Sequence, residues 1–239
     1  SPEWSLSDVN ENDMVIAHGI FPMISLPDTG LTVVGDFFFK LKSIKKPSEL
    51  RLNVSIPGTA FANSWNIWVY PPAKARFDSG DICITGSLSQ AEAWLSEGKK
   101  VLFMVDSTNN PNLREACFTT IFWNSIHKWP QKAHTMGILC NPEHPVFSSF
   151  PTEMHSDWQW WDIAMHARAM VMNDLPLELV PLISVTDSYI VNDKLGYLWE
   201  AMVGKGKLMV CSVDFKTAID SRPASRQLWY SLITYLNSP

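Results

Sequence analysis

The dipeptide Pro71-Pro72 constrains this chain most, because two different periodicities meet there. Proline fixes φ, lacks an amide donor and pushes the residue before it into extended backbone, so neither a helix nor an inner strand runs through such a pair. On the N-terminal side, Leu50-Arg-Leu-Asn-Val-Ser-Ile56 alternates with period two, placing Leu50, Leu52, Val54 and Ile56 on one face of a strand. Residues 33–41 are apolar and aromatic and read as another strand. Pro57-Gly58-Thr59 is a turn, and Trp65-Asn-Ile-Trp-Val-Tyr70 is a further strand. Short strands divided by turn residues, with no helical period, predict an antiparallel β-sandwich. Residues 1–71 are too few for a complete one, so part of a sandwich is expected.

Beyond the prolines the pattern becomes alternating strand and helix. Ile82-Cys-Ile-Thr85 is a short apolar strand, and Ser89-Gln-Ala-Glu92 has the spacing of a capping box, with Ser89 as N-cap. That helix ends at Gly98, suited to the left-handed position that closes a helix, and Lys100-Val-Leu-Phe-Met-Val105 follows as a buried strand. Strand, helix and strand form a βαβ unit, which implies a parallel pair. Residues 109–126 fit helix or loop. Gly137-Ile-Leu-Cys140, residues 179–185 and residues 195–203 read as strands. Gly204-Lys205-Gly206 is a tight turn into Leu208-Met-Val-Cys-Ser-Val213, and a last helix runs over 223–236, opened by Pro223. The expected architecture is α/β: a mostly parallel sheet flanked by helices over 72–239, after an N-terminal antiparallel β-sandwich portion over 1–71.

Composition narrows the function classes. Apolar residues are 46% and charged residues 18% of the 239, which suits a core-forming chain. A net charge of −5 without a basic stripe argues against a nucleic-acid footprint, and no apolar run has the roughly 18 residues that span a bilayer. The chain opens Ser-Pro-Glu-Trp, without an initiator Met or signal peptide, and is expected to be a mature product or a piece of a longer protein. Cys83, Cys117, Cys140 and Cys211 lie far apart with no C-x-x-C spacing, which excludes zinc-knuckle and thioredoxin-type motifs. Eleven tryptophans are a large excess and point mildly to carbohydrate contact, because indole faces stack on the C–H faces of sugar rings; large cores use tryptophan too.

The densest chemistry is in residues 150–166, Phe-Pro-Thr-Glu-Met-His-Ser-Asp-Trp-Gln-Trp-Trp-Asp-Ile-Ala-Met-His, with three tryptophans, two histidines and three carboxylates. Ser156-Asp157-Trp158-Gln159 again has capping-box spacing, with Ser156 as N-cap and Asp157 in the first turn. The helix that would follow, to about Met172, is apolar nearly all round, so at least two of the three tryptophans are expected in the core. The functional alternative is the loop ahead of the helix. Glu153, His155 and Trp158 would form a carbohydrate-binding site, since such loops line the ligand crevice of a parallel α/β sheet. His144, His155, Asp157 and His166 are weaker candidates for a metal. Asp162 and His166 share a helix face, but two ligands are not a site, and no metal or cofactor is expected.

Catalytic signatures are incomplete. Cys140 follows a strand but precedes Asn141-Pro142, and Cys211 lies inside Val210-Cys-Ser; neither has the flanking glycines of a nucleophile elbow. Gly204-x-Gly206 is a hairpin turn and not a phosphate loop. Glu153, Asp157, Asp187, Glu200 and Asp214 are available as carboxylates, but spacing cannot pair them across a glycosidic bond.

Several segments carry a family resemblance. Leu50 to Ile56, Gly58-Thr59 and Asn63-Ser-Trp-Asn-Ile-Trp-Val-Tyr-Pro71 resemble the end of an accessory β-sandwich in large secreted glycoside hydrolase family 2 proteins of gut-type Bacteroidetes. Asn141-Pro-Glu-His-Pro145, Phe150-Pro-Thr-Glu-Met-His-Ser-Asp-Trp-Gln-Trp-Trp161, Val203-Gly-Lys-Gly-Lys-Leu208 and Arg222-Pro-Ala-Ser-Arg-Gln-Leu228 look like their C-terminal region. That region is similar to the class I glutamine-amidotransferase-like fold, also seen in β-galactosidase trimerisation domains. The resemblance implies a β-galactosidase-like parent whose catalytic glutamates sit on a barrel of about 250 residues, which does not fit beside two other modules. No catalytic residue carries over, and the amidotransferase nucleophile is missing. The expectation is a non-catalytic accessory region, architectural or oligomerising, periplasmic or extracellular, partnered by the parent's catalytic barrel. A carbohydrate-binding module is the alternative, and an independent hydrolase the third reading.

Overall fold

The computed structural model describes residues 1–25, 27–72, 79–118, 135–188 and 191–238. The chain divides into two units, Ser1–Ala73 and Lys74–Pro239.

The first unit is one antiparallel sheet in the order β2-β1-β3-β4, with β1 Glu3–Asp8, β2 Met14–Ile20, β3 Ser48–Ser55 and β4 Ala62–Val69. Its register pairs Leu6 with Leu52 and Leu52 with Trp65, so the period-two residues share one face. Leu6, Leu50 and Val69 form the buried centre of that face. Residues 33–41, expected as a strand, form none. They belong to the long β2–β3 connection, which uses its aromatic residues as a cover: Phe37 stacks on Trp4 with ring centroids 4.4 Å apart, and Phe39 packs on the Leu6 cluster. Apolar content without strict alternation fitted a plug over the sheet as well as it fitted a strand.

The second unit corrects the expected fold class. It is not a mostly parallel sheet flanked by helices; among the described residues the chain is mostly β, with sheets of four and eight strands and about 20% helix. Its strands are β5 Ile82–Thr85, β6 Lys100–Met104, β7 Leu113–Glu115, β8 Gly137–Cys140, β9 Arg168–Val171, β10 Ile183–Thr186, β11 Leu195–Val203 and β12 Gly206–Cys211. Its α-helices, among the described residues, are α1 Leu88–Ser96, α2 Trp160–Met165 and α3 Pro223–Asn237. The sheet runs β5-β6-β12-β11-β10-β8, with β9 beside β11 and β7. Among the described residues only β5–β6 and β6–β12 are parallel. The βαβ unit is present, but it does not propagate. Gly204, at φ +60°, turns β11 directly back into β12 as a hairpin, so the sheet grows here by antiparallel pairing rather than by another crossover. No helix among the described residues is long and apolar enough to cross a membrane.

Local signals were displaced as well. The N-cap of α1 is Ser87 rather than Ser89, while Gly98 closes the helix at φ +79°. The strand expected over 179–185 is confined to β10, after Pro181. The ambiguous stretch 109–126 contains β7, and its part from 119 lies outside the described residues. The largest displacement is at 156–172. Ser156 is not a cap; α2 starts at Trp160 and ends at Met165, and the chain re-enters the sheet as β9. Backbone pairing of β9 with both β7 and β11 is available to residues 168–171 and outweighs their helical pattern. The C-terminal helix α3 buries Leu228, Leu232 and Leu236, spaced to share one helix face.

Candidate functional site

The loop ahead of α2 is built around one tryptophan. Trp160 is fully buried, its ring edge-on to Phe150 (5.3 Å) and Phe147 (6.4 Å), and its indole N–H donates to Thr152 Oγ1 at 2.9 Å. Gln159 Nε2 donates to the Pro151 carbonyl at 2.6 Å, and the Cys140 amide donates to the Met154 carbonyl at 2.9 Å, so the loop is pinned along β8. Anchoring Trp160 inward turns its neighbours outward. Trp158 is 74% exposed and Trp161 50%, which corrects the expectation that at least two of the three lie in the core. A six-residue helix presents only part of its circumference to the interior, and here that part is Trp160, Ile163 and Ala164.

The predicted site residues fall as follows. Glu153 and His155 form an ion pair at 3.0 Å, both half-exposed. Trp158 stands on the same loop, with its ring against Phe118 at 5.5 Å. Asp157 lies beneath, accepting from the Gln159 amide at 3.0 Å; burial pushes its carboxyl up to about 6, helped by the nearby Glu153 charge and opposed by the Gln159 bonds. The candidate metal ligands are dispersed: His144 faces Glu200 at 3.9 Å, His155 pairs with Glu153, and His166 with Asp162. Burial pushes the Cys140 thiol up to about 11 and Cys211 to about 12, so neither supplies a thiolate near neutral pH.

A second feature was not found from the sequence. At the C-terminal ends of the parallel strands β6 and β12 lies a cleft of about 460 Å³, whose charged lining is Asp106, Glu115, His166, Arg168, Asp214 and Lys216. This is where parallel strands leave room for ligands. Asp106 accepts from the Thr108 hydroxyl and amide, and these bonds together with Lys216 hold its carboxyl below the usual range. Burial opposes ionisation of Asp214, but bonds from Thr217 and the Lys216 amide outweigh it and keep that carboxyl low as well. Both aspartates are therefore hydrogen-bond acceptors near neutral pH.

One buried arginine assembles the cleft wall. Arg222, 5% exposed, donates through Nε to both oxygens of Asp162 at 3.0 Å, through Nη1 to the carbonyls of Asp214 (2.7 Å) and Thr217 (3.1 Å), and through Nη2 to Ser225 Oγ at 2.8 Å. It thus ties α2, the loop after β12 and the start of α3. Asp162 in turn faces His166: Nδ1 is 2.9 Å from the Asp162 carbonyl and 3.3 Å from its carboxylate. Both are acceptors, so Nδ1 carries the proton and Nε2 keeps its lone pair in the neutral ring. The sequence signal was the Asp162/His166 spacing on one helix face; its meaning depended on Arg222, sixty residues away.

The two features share chain segments. Residues 115–118 run from the cleft lining to Phe118, and residues 158–168 run from Trp158 through α2 to His166 and Arg168. Compared with known families, residues 83–239 match a domain of unknown function, DUF8487, and residues 1–71 match another, DUF8488. No curated protein matches the chain.

Proposed function

Since the chain belongs to the DUF8487 family, whose description assigns no chemistry, we propose from its site that the unit 74–239 binds carbohydrate. One observation carries this reading: Trp158, 74% exposed on a loop anchored by Trp160, presents its ring beside Phe118, with Trp161 half-exposed on the following helix. An indole held open at that exposure costs apolar area in water, and a sugar face is a partner that covers it while leaving its own hydroxyls for polar groups. Glu153, His155 and the ionised Asp106 and Asp214 supply acceptors and donors for those hydroxyls. The setting we propose is an accessory region of a secreted glycoside hydrolase, outside the catalytic barrel.

The test is a glycan array followed by calorimetric titration of hits. Trp158→Ala is expected to lose binding at least tenfold with an unchanged melting temperature. Unchanged affinity for every hit, or a wild type that binds no glycan, refutes it.

An architectural role is the second reading, favoured by the first unit. Trp65 and Ile67 on the edge strand β4, and Phe61 just before it, are exposed apolar side chains. Self-association or packing against the parent's barrel would cover them. A strict monomer at all concentrations in size-exclusion chromatography counts against oligomerisation.

A further inference from the structure

Resting on the carbohydrate reading, we propose that the cleft is itself a reaction centre, which removes ester-linked acyl groups from the glycan, with His166 as general base. The geometry is that of an oriented imidazole. Nδ1 is fixed by Asp162, Asp162 is fixed by the Arg222 guanidinium and by Ser225 Oγ at 2.6 Å, and the ring lines a cleft that also holds two cationic side chains, Arg168 and Lys216. A base whose proton-bearing nitrogen donates to the Asp162 main-chain carbonyl, with the Asp162 carboxylate 3.3 Å away and cations lining the same cleft, suits attack of water on a carbonyl carbon.

The ester is favoured over the glycosidic bond by the carboxylates. Glycoside cleavage needs a carboxylic acid that keeps its proton, whereas Asp106 and Asp214, two of the three carboxylates lining the cleft beside Glu115, are both held ionised. In the proposed step a water oxygen bonds to the acyl carbon while His166 Nε2 takes one water proton, and the carbonyl π pair moves onto its oxygen, facing Arg168 and Lys216. The tetrahedral intermediate then expels the sugar oxygen, which takes the proton from Nε2. Acetic acid leaves and loses its proton to solvent. No cofactor is consumed.

Two probes separate this step from sugar binding: 4-nitrophenyl acetate, which has no sugar, and acetylated cello-oligosaccharides, assayed by acetate release. The wild-type chain is expected to turn over both. His166→Asn keeps an amide donor toward Asp162 at a partly exposed position and is expected to lower both rates at least 100-fold with a melting temperature within about 2 °C of wild type. Arg168→Met and Lys216→Met should each cost about tenfold in kcat. The charged groups that line the cleft with His166 are Asp214 and Lys216 after β12, Asp106 after β6, and Glu115 and Arg168 on β7 and β9, while Asp162 on α2 binds its Nδ1 and Arg222, just before α3, binds Asp162. Trp158→Ala should raise KM for the oligosaccharide alone. A folded wild type silent on both probes, or a His166→Asn variant as fast as wild type, overturns the proposal. Loss through His166→Asn together with an unchanged KM in Trp158→Ala supports the esterase centre and overturns the aromatic sugar site.

Discussion

Asp157→Asn should stabilise the second unit at neutral pH and flatten its pH dependence. The Asp157 carboxyl, on the loop that carries Trp158, is pushed by burial from the ordinary aspartate range up to about 6. The folded state thus binds the proton more tightly than the unfolded chain does. Its contribution is fully present below about pH 4 and is lost as pH rises through 6, because folding must then bury a charge. The shift corresponds to about 3 kcal/mol at 1.36 kcal/mol per pH unit. The carboxyl is partly solvated, which screens that to roughly 1–2 kcal/mol. Asparagine keeps an oxygen to accept the Gln159 amide, held at 3.0 Å in the wild type, and removes the charge. The assay is urea unfolding of wild type and variant at half-unit steps from pH 4 to 8. The difference between the two curves isolates Asp157 together with Glu153, whose charge is coupled to it. It should change by about 1–2 kcal/mol between pH 4 and 7, with the variant gaining as pH rises. A difference that stays flat, or that favours wild type increasingly above pH 6, refutes the burial argument.

Other substitutions test the packing. Trp160→Ala should cost about 3–5 kcal/mol in urea unfolding, as deletion of a fully buried aromatic does, while the exposed Trp158→Ala should stay within about 0.5 kcal/mol. Arg222→Met leaves Asp162 without its buried guanidinium and should cost about 3–5 kcal/mol, measured the same way; Arg222→Lys should recover only part, because one ammonium cannot reach α2, α3 and the 214–217 loop together. Gly206→Ala should destabilise by about 1–3 kcal/mol, since its new methyl would meet the Leu95 carbonyl oxygen at 2.8 Å, a backbone atom of α1 that cannot swing away.

Legibility from the sequence followed the range of the interaction. The β3 alternation, the β5–α1–β6 unit, the Gly98 close, the Gly204 turn and the Pro223 start are decided within a few residues by dihedral preference or periodicity, and each is where those rules place it. What failed depended on partners elsewhere. Residues 33–41 have strand composition, but the sheet face over Trp4 and Leu6 needed covering, and their aromatic rings do that. One parallel unit does not set the direction of a whole sheet: the β11–β12 hairpin already implies an antiparallel neighbour.

The 150–166 segment shows the same division at the scale of a site. A capping-box spacing is a local signal, yet the side chain that bonds the Gln159 amide is that of Asp157, two residues before it. An all-round apolar pattern promised a buried helix, but the helix stops at Met165 because β7 and β11 offer residues 168–171 a paired strand. Once the helix is that short, one indole is enough to anchor it, and the other two are released to the surface. The same break puts His166 at the end of α2 and at the cleft, with Asp162 one turn behind to orient it. Exposed tryptophans and an oriented histidine are thus two consequences of a single tertiary pairing, which is why neither was visible in the periodicity. It also means that the two proposed roles are structurally coupled: a substitution that extends α2 through 168–171 would withdraw Trp158 and His166 together.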